Sequence, residues 1–187
     1  AVNYGIDFTI SGTNLNGTSK VDLVNHGIGD MYVNATINGN DIDIVNNSNA
    51  ETLSVSGTIG GSSSASTRIM NRGESANVDA NITSTDVLIS NKSSDGLSVG
   101  GTLTGNKIAL NNSGGNLTIN GTLENTGSTA SITVYNDSNG DNLTLSSTGQ
   151  IKASGNLAIK NMGYNGMNLD GSITNTGAET AINNTDG

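Results

Sequence analysis

Sixteen Asp and Glu residues, seven Lys and Arg, one histidine and no cysteine set the limits of the chemistry open to this 187-residue chain. Two acidic patterns stand out. Glu51, Glu74 and Asp95 recur at one position of successive sequence repeats, and Asp22 and Asp43 recur at another, where the next repeat carries Arg68. Carboxylates stacked in columns are ligands suited to a hard divalent cation, calcium first, which takes six to eight oxygens. The competing reading is a solvated turn in which like charges are relieved by neighbouring cations, Arg72 and Lys92 for the first column and Arg68 for the second. That reading is the one adopted: no cofactor is expected, and Glu51, Glu74 and Asp95 are the candidates if a metal binds. Zinc lacks its ligands, since His26 stands alone and no thiol is present. His26 falls in a turn beside Asn25, so a triad of nucleophile, imidazole and acid has no support, and no catalytic residue is expected.

These residues are carried by a repeat. The pattern apolar, any, apolar, any, small, any, apolar occurs eight times, most clearly as Leu53-Val55-Gly57-Ile59, Leu97-Val99-Gly101-Leu103, Leu117-Ile119-Gly121-Leu123 and Met167-Leu169-Gly171-Ile173. Looser copies begin at Phe8, Met31, Ala76 and Leu143, and those at Phe8 and Leu143 carry insertions before Leu15 and Ile151. Copy starts lie 20 to 26 residues apart. A second motif, apolar, any, apolar, any, Asn, follows each copy, as in Val21-Leu23-Asn25 and Ile108-Leu110-Asn112. Ile69-Asn71 and Ile182-Asn184 lack its first apolar residue.

Alternation with period two makes each motif a short strand with one buried face, and the Gly, Ser and Asn between them supply turns. No helical period is present. A unit this small cannot bury its apolar face alone, so successive units must stack. The expected fold is all-β: a parallel β-helix, or β-solenoid, of about eight coils, right-handed by the crossover preference. It forms one domain, 1–187, a rod on the order of 40 Å long at ~4.8 Å per coil.

Stacking assigns a role to the asparagines. Asn25, Asn46, Asn71, Asn91, Asn112, Asn136, Asn161 and Asn184 fall at one corner of successive coils, where side-chain amides can hydrogen-bond along the rod and where Asn tolerates a left-handed turn. Two residues beyond stands Gly or Ser in seven of the eight, with Asp186 the exception. The small residue of the first motif (Gly12, Ala35, Gly57, Ala80, Gly101, Gly121, Ser147, Gly171) is expected to face inward at a bend.

The rest of the composition excludes several functions. A net charge of −9 removes phosphate neutralisation as a source of affinity, so nucleic acid is not an expected partner. No apolar run approaches the ~20 residues of a membrane span and no signal peptide is legible, so the chain reads as soluble, mature and part of something longer. Outward strand positions carry Thr and Ser, with Thr9, Ser54, Ser98, Thr118 and Thr144 in one column and Thr13, Thr36, Thr58, Thr102 and Thr122 in another. β propensity explains them. A flat hydroxyl array binding ice, and a polysaccharide-acting β-helix enzyme, are the lesser alternatives; exposed aromatic platforms for sugar are not evident.

The stretch 108–123, IALNNSGGNLTINGTL, resembles the repeats of filamentous-haemagglutinin-type exoproteins of two-partner secretion, including leukotoxin-like filamentous adhesins, and the resemblance extends over the whole chain. It implies a bacterial secreted or cell-surface rod that mediates attachment or presents a tip domain, with a host or bacterial surface receptor or glycan as partner. No catalytic residue is implied. The coils are less uniform than the family's shortest repeats, and no secretion domain is evident. Two arrangements follow from uncapped strand edges: further coils of the same chain, or copies joined end to end as subunits of a fibre or sheath.

Overall fold

The computed structural model describes residues 1–47, 51–127, 129–137 and 139–185. Ser48, Ser138 and Asp186, three of the residues expected two places beyond the asparagines, lie outside these. The described residues form strands and turns with no helix. In chain order the strands are β1 (Val2–Asn3), β2 (Phe8–Asn16), β3 (Lys20–Asn25), β4 (Met31–Asn38), β5 (Asp41–Asn46), β6 (Leu53–Gly60) and β7 (Ser66–Asn71). They continue as β8 (Ala76–Val78), β9 (Asn81–Thr83), β10 (Asp86–Asn91), β11 (Gly96–Val99), β12 (Thr102–Gly105), β13 (Lys107–Asn112), β14 (Gly115–Ile119) and β15 (Thr122–Asn125). The last are β16 (Ser131–Asn136), β17 (Gly140–Leu145), β18 (Gln150–Ala153), β19 (Asn156–Asn161), β20 (Met167–Leu169), β21 (Ser172–Asn175) and β22 (Thr180–Asn184).

All pairings are parallel and join each strand to its counterpart one coil away, so the chain is a β-solenoid of about eight turns. The second-motif strands make one sheet, β1-β3-β5-β7-β10-β13-β16-β19-β22. The first-motif strands make a second sheet that divides. β2, β4 and β6 run unbroken through the motif, but beyond β6 each coil breaks it into two strands: Leu53–Val55 pairs with β8 and Thr58–Gly60 with β9. Later coils therefore have three strands per turn.

The break falls at the small residue, whose size has a steric cause. A Cβ on Gly101 would run into the Ala80 carbonyl oxygen, and one on Gly121 into that of Gly101, because corner backbones of adjacent coils lie in contact. Not every member of the expected column faces inward. Gly57 is exposed, with φ 95, and supplies a left-handed bend beside the Ala35 carbonyl. Ser147 is exposed as well. Its place is taken by Gly149, because Gln150 pairs with Thr122 and Ile151 with Leu123, so the extra residues of that coil are held in the preceding turn. In the first coil the insertion is a bulge between Ser11 and Asn14, which sets Asn14 rather than Thr13 beside Thr36.

Inside, the apolar columns are continuous. Met31, Leu53, Ala76, Leu97, Leu117 and Leu143 form one, Val33, Val55, Val78, Val99, Ile119 and Leu145 another, and all are essentially inaccessible. The first apolar position of the second motif, missing at coil three, is filled by Thr67. It is 1% exposed and bonds at 2.5 Å to the hydroxyl of Ser84, so the polar atom is buried without being orphaned. In the end coils Phe8, Ile10, Leu15 and Val21, and Met167, Leu169 and Ile173, are only partly buried.

Candidate functional site

Each second-motif strand ends by delivering an asparagine to one corner, and the corner is a hydrogen-bonded ladder. Nδ2 of Asn25 donates to Oδ1 of Asn46 at 2.9 Å, Asn46 to Asn71 at 3.0 Å, Asn71 to Asn91 at 2.9 Å, and Asn91 to Asn112 at 2.8 Å. Asn112 donates to Asn136, Asn136 to Asn161, and Asn161 to Asn184, each at 2.8 Å. Every bond runs from the N-terminal coil to the C-terminal one. From Asn25 to Asn161 the side chains are no more than 1% exposed.

The ladder has one rung more than the repeat disclosed. Asn3 donates to Oδ1 of Asn25 at 2.8 Å. Its signal was present in the sequence as Asn3-Tyr4-Gly5, which shares the Asn-any-Gly spacing of Asn25-His26-Gly27, but the strand before it is only two residues long and offers no alternation to detect.

The spacing follows from what the amide does with its other atoms. Oδ1 also accepts from the residue two places on: the backbone N–H of Gly27 at 3.0 Å and of Gly73 at 3.1 Å, or the Ser93 hydroxyl at 2.8 Å. The second Nδ2 proton reaches a carbonyl across the turn, Gly29 from Asn25 at 3.2 Å, Ser75 from Asn71 at 2.9 Å, Gly115 from Asn112 at 3.0 Å and Gly166 from Asn161 at 2.9 Å. A side chain with two donors and an acceptor of two lone pairs is thus saturated in the interior. The expected left-handed backbone is not found: among the described residues only glycines have positive φ. The asparagine turns the chain through its side chain, as an Asx-turn does, so its own backbone stays in the strand.

Glu51, Glu74 and Asp95 do stack by backbone, the N–H of Glu74 bonding to the Glu51 carbonyl and that of Asp95 to Glu74, both at 3.0 Å. Among the described residues, however, no three acidic, imidazole or thiol side chains converge on a point that would hold a metal ion. The expected relief by Arg72 and Lys92 is also absent: neither forms an ion pair among the described residues, and Arg72 donates to Asn47 Oδ1 at 3.0 Å instead. Glu51 is half-buried, Glu74 and Asp95 are exposed where water screens them, and the Asp95 carboxylate accepts from the Ser94 hydroxyl at 3.0 Å.

The second acidic column is a charge network. Asp22, Asp43 and Arg68 are register partners, and Arg68 grips Asp43 through Nε at 2.8 Å and a second nitrogen at 3.1 Å. Lys20 completes it, reaching Asp22 at 2.9 Å and Asp43 at 3.0 Å. It stands two residues before Asp22, hence on the same strand face. Partial burial pushes the Asp43 carboxyl upward, but the hydrogen bonds from Arg68 and then Lys20 outweigh it and hold the group below the usual carboxylate range. Lys20 is correspondingly raised, first by Asp22 and then by Asp43.

His26 lies exposed in its turn, as expected, but it is not alone: the Tyr4 ring stacks on it with centroids 5.1 Å apart and 13° between planes. Tyr4, Tyr32 and Tyr164 are all exposed, so aromatic surface is present where composition suggested little. A shallow depression on the outer face of the second-motif sheet lies over Leu88 and Ala109 between Arg68, Asp86 and Lys107. It contains no imidazole, and Asp43 at its rim is held by the two cations. The hydroxyl columns are real but mixed: Tyr32 and Asn77 interrupt Thr9, Ser54, Ser98, Thr118 and Thr144, and Asn81 stands between Thr58 and Thr102.

No family model, no curated protein and no solved structure matches this chain.

Proposed function

We propose that this chain is a structural rod, a segment of a bacterial secreted or cell-surface filament that mediates or presents attachment, and that it is not an enzyme. The observation that carries the reading is the axial ladder. Eight consecutive amide bonds and unbroken apolar columns commit the interior to holding one coil on the next, while the outer strand faces carry mainly short polar side chains. Function in such a molecule resides in length, stiffness and the turns it displays. The repeat resemblance to filamentous-haemagglutinin-type exoproteins supports a bacterial exterior location and a receptor or glycan partner, and the absence of cysteine suits export without oxidative cross-linking.

The test is the native polypeptide that contains this sequence. Its intact mass should far exceed that of 187 residues, and antibodies to the rod should label intact cells, with the label removed by protease shaving. A polypeptide confined to the cell interior would overturn the exterior assignment. Glycan depolymerisation by the purified chain, abolished by Asp22→Asn with Asp43→Asn, would overturn the non-enzymatic one.

A further inference from the structure

From β5 to β19 the second-motif sheet pairs strand on strand with no register shift. The first-motif sheet, by contrast, divides and carries two such shifts. Straight columns of side chains therefore run along the outer face of the second-motif sheet, one of them being Asp41, Ser66, Asp86, Lys107, Ser131 and Asn156. At its middle Asp86 and Lys107 are adjacent, opposite in charge and exposed. Among the described residues they form no ion pair, and neither side chain has a hydrogen-bond partner. The charges next to them are already matched: Asp43 is held by Arg68 and Lys20, and Asp41 accepts from the Ser66 hydroxyl at 2.7 Å. Beside the open pair stand Leu88 and Ala109, one large and one small apolar side chain, both half-buried.

We infer that this face binds a second copy of the chain, sheet on sheet with the rods antiparallel, about a two-fold axis that runs along the strands between β10 and β13. Turning the copy over reverses the order of the coils and keeps each position along the strand. β10 then faces the partner's β13, and β13 the partner's β10. Asp86 meets the partner's Lys107 and Lys107 the partner's Asp86, so four charges alternate in sign around the axis. In the next column Leu88 sits over the partner's small Ala109, and the same contact is made in reverse, as an isologous interface requires. One coil outward, Met70 faces the partner's Tyr135, a sulfur–aromatic contact. From β5 to β19 no like charges face one another.

Charge fixes the register. A slip of one coil moves the axis onto β10 or β13 and sets Asp86 against its own counterpart, or Lys107 against its own, a repulsive contact at the centre. A slip of two coils leaves Asp86 or Lys107 facing a serine, Ser66 or Ser131; the first of these pairs Lys107 with Asp41 but lays Arg68 over Leu88. The six strands β5 to β19, ~4.8 Å apart and ~20 Å long, present roughly 600 Å² on each copy. The total of about 1,200 Å² stands at the lower edge of specific interfaces, so the association is reversible. These strands lie within the rod, and the face they form is the same whether or not further coils continue it. Rods rooted in two facing cells would meet in this antiparallel sense; that consequence rests on the exterior location proposed above, and the interface does not.

The experiment uses the full chain, with sedimentation equilibrium over a range of concentrations as the readout. The unaltered chain should pass from monomer to dimer as concentration rises, and salt should weaken the dimer. Asp86→Lys gathers four positive charges around the axis and Lys107→Asp four negative ones, so each variant alone should dissociate at least about tenfold more readily. Mixed in equal amounts, the two variants should form a heterodimer, because lysine then faces aspartate at all four places. The double variant, Asp86→Lys with Lys107→Asp, should again dimerise by itself. Recovery on mixing also shows that both single variants are folded. An unaltered chain that stays monomeric at millimolar concentration, association indifferent to Asp86→Lys, or a mixture no more associated than its components would each overturn the inference.

Discussion

Asn112→Ala tests whether the ladder holds the rod together. The Asn112 side chain is 1% exposed, receives Asn91 Nδ2 at 2.8 Å, and donates to Asn136 Oδ1 at 2.8 Å and to the Gly115 carbonyl at 3.0 Å. Truncation strands at least two buried groups, the Asn91 N–H and the Asn136 oxygen. At ~1–3 kcal/mol for each orphaned group, the expected loss is about 2–6 kcal/mol. Asn77→Ala, on an exposed strand face of the same rod, should stay within about 0.5 kcal/mol. Asn112→Asp separates hydrogen bonding from shape. Its carboxylate still accepts from Asn91 but faces two acceptors with no proton to give, so its ionised form is disfavoured and its folded pKa lies above the unfolded one. The variant is therefore closest to the parent below the unfolded value near 3.9 and loses stability as pH rises through the folded value. Urea denaturation followed by circular dichroism at about pH 4 and pH 7 reads all three, with the slope checked for loss of cooperativity, as expected of a repeat array. Equal effects of Asn112→Ala and Asn77→Ala, or a pH-independent Asn112→Asp, would refute the argument.

Gly101→Val should abolish soluble folded protein or lower its melting temperature steeply, because the new side chain meets the Ala80 carbonyl at a corner where backbone lies on backbone; an unchanged melt would show that the corner relaxes. Asp43→Asn should remove the part of the acid transition that this carboxylate contributes. A depressed folded pKa stabilises above the unfolded value and the benefit is lost as pH falls through the folded one, so the variant should lose about 0.5–1 kcal/mol at neutral pH and match the parent in strong acid. Millimolar Ca²⁺ should leave the melting temperature unchanged, with Glu74→Gln indistinguishable from the parent; a rise that Glu74→Gln abolishes would restore the cation reading of Glu51, Glu74 and Asp95.

The coil count, the parallel stacking, the apolar columns and the asparagine corner were all legible in the sequence. Each repeats at one spacing, and a period-two pattern with a fixed inward face has a single stacked solution. Arg68 over Asp43 was legible for the same reason, since both occupy one column. What depends on closure of the coil was not. Whether the first motif runs straight, as in β2, β4 and β6, or breaks at its small residue is decided by the approach of one corner to the next, and Gly57 and Gly101 look alike in sequence while doing different things. The two-residue match of Asn3, the replacement of Ser147 by Gly149, and the turning of Arg72 to Asn47 belong with these. Local pattern determined which aliphatic residues and asparagines face inward and in which order they stack. Only the closed coil decided how atoms meet at its corners, because those contacts join residues twenty or more positions apart.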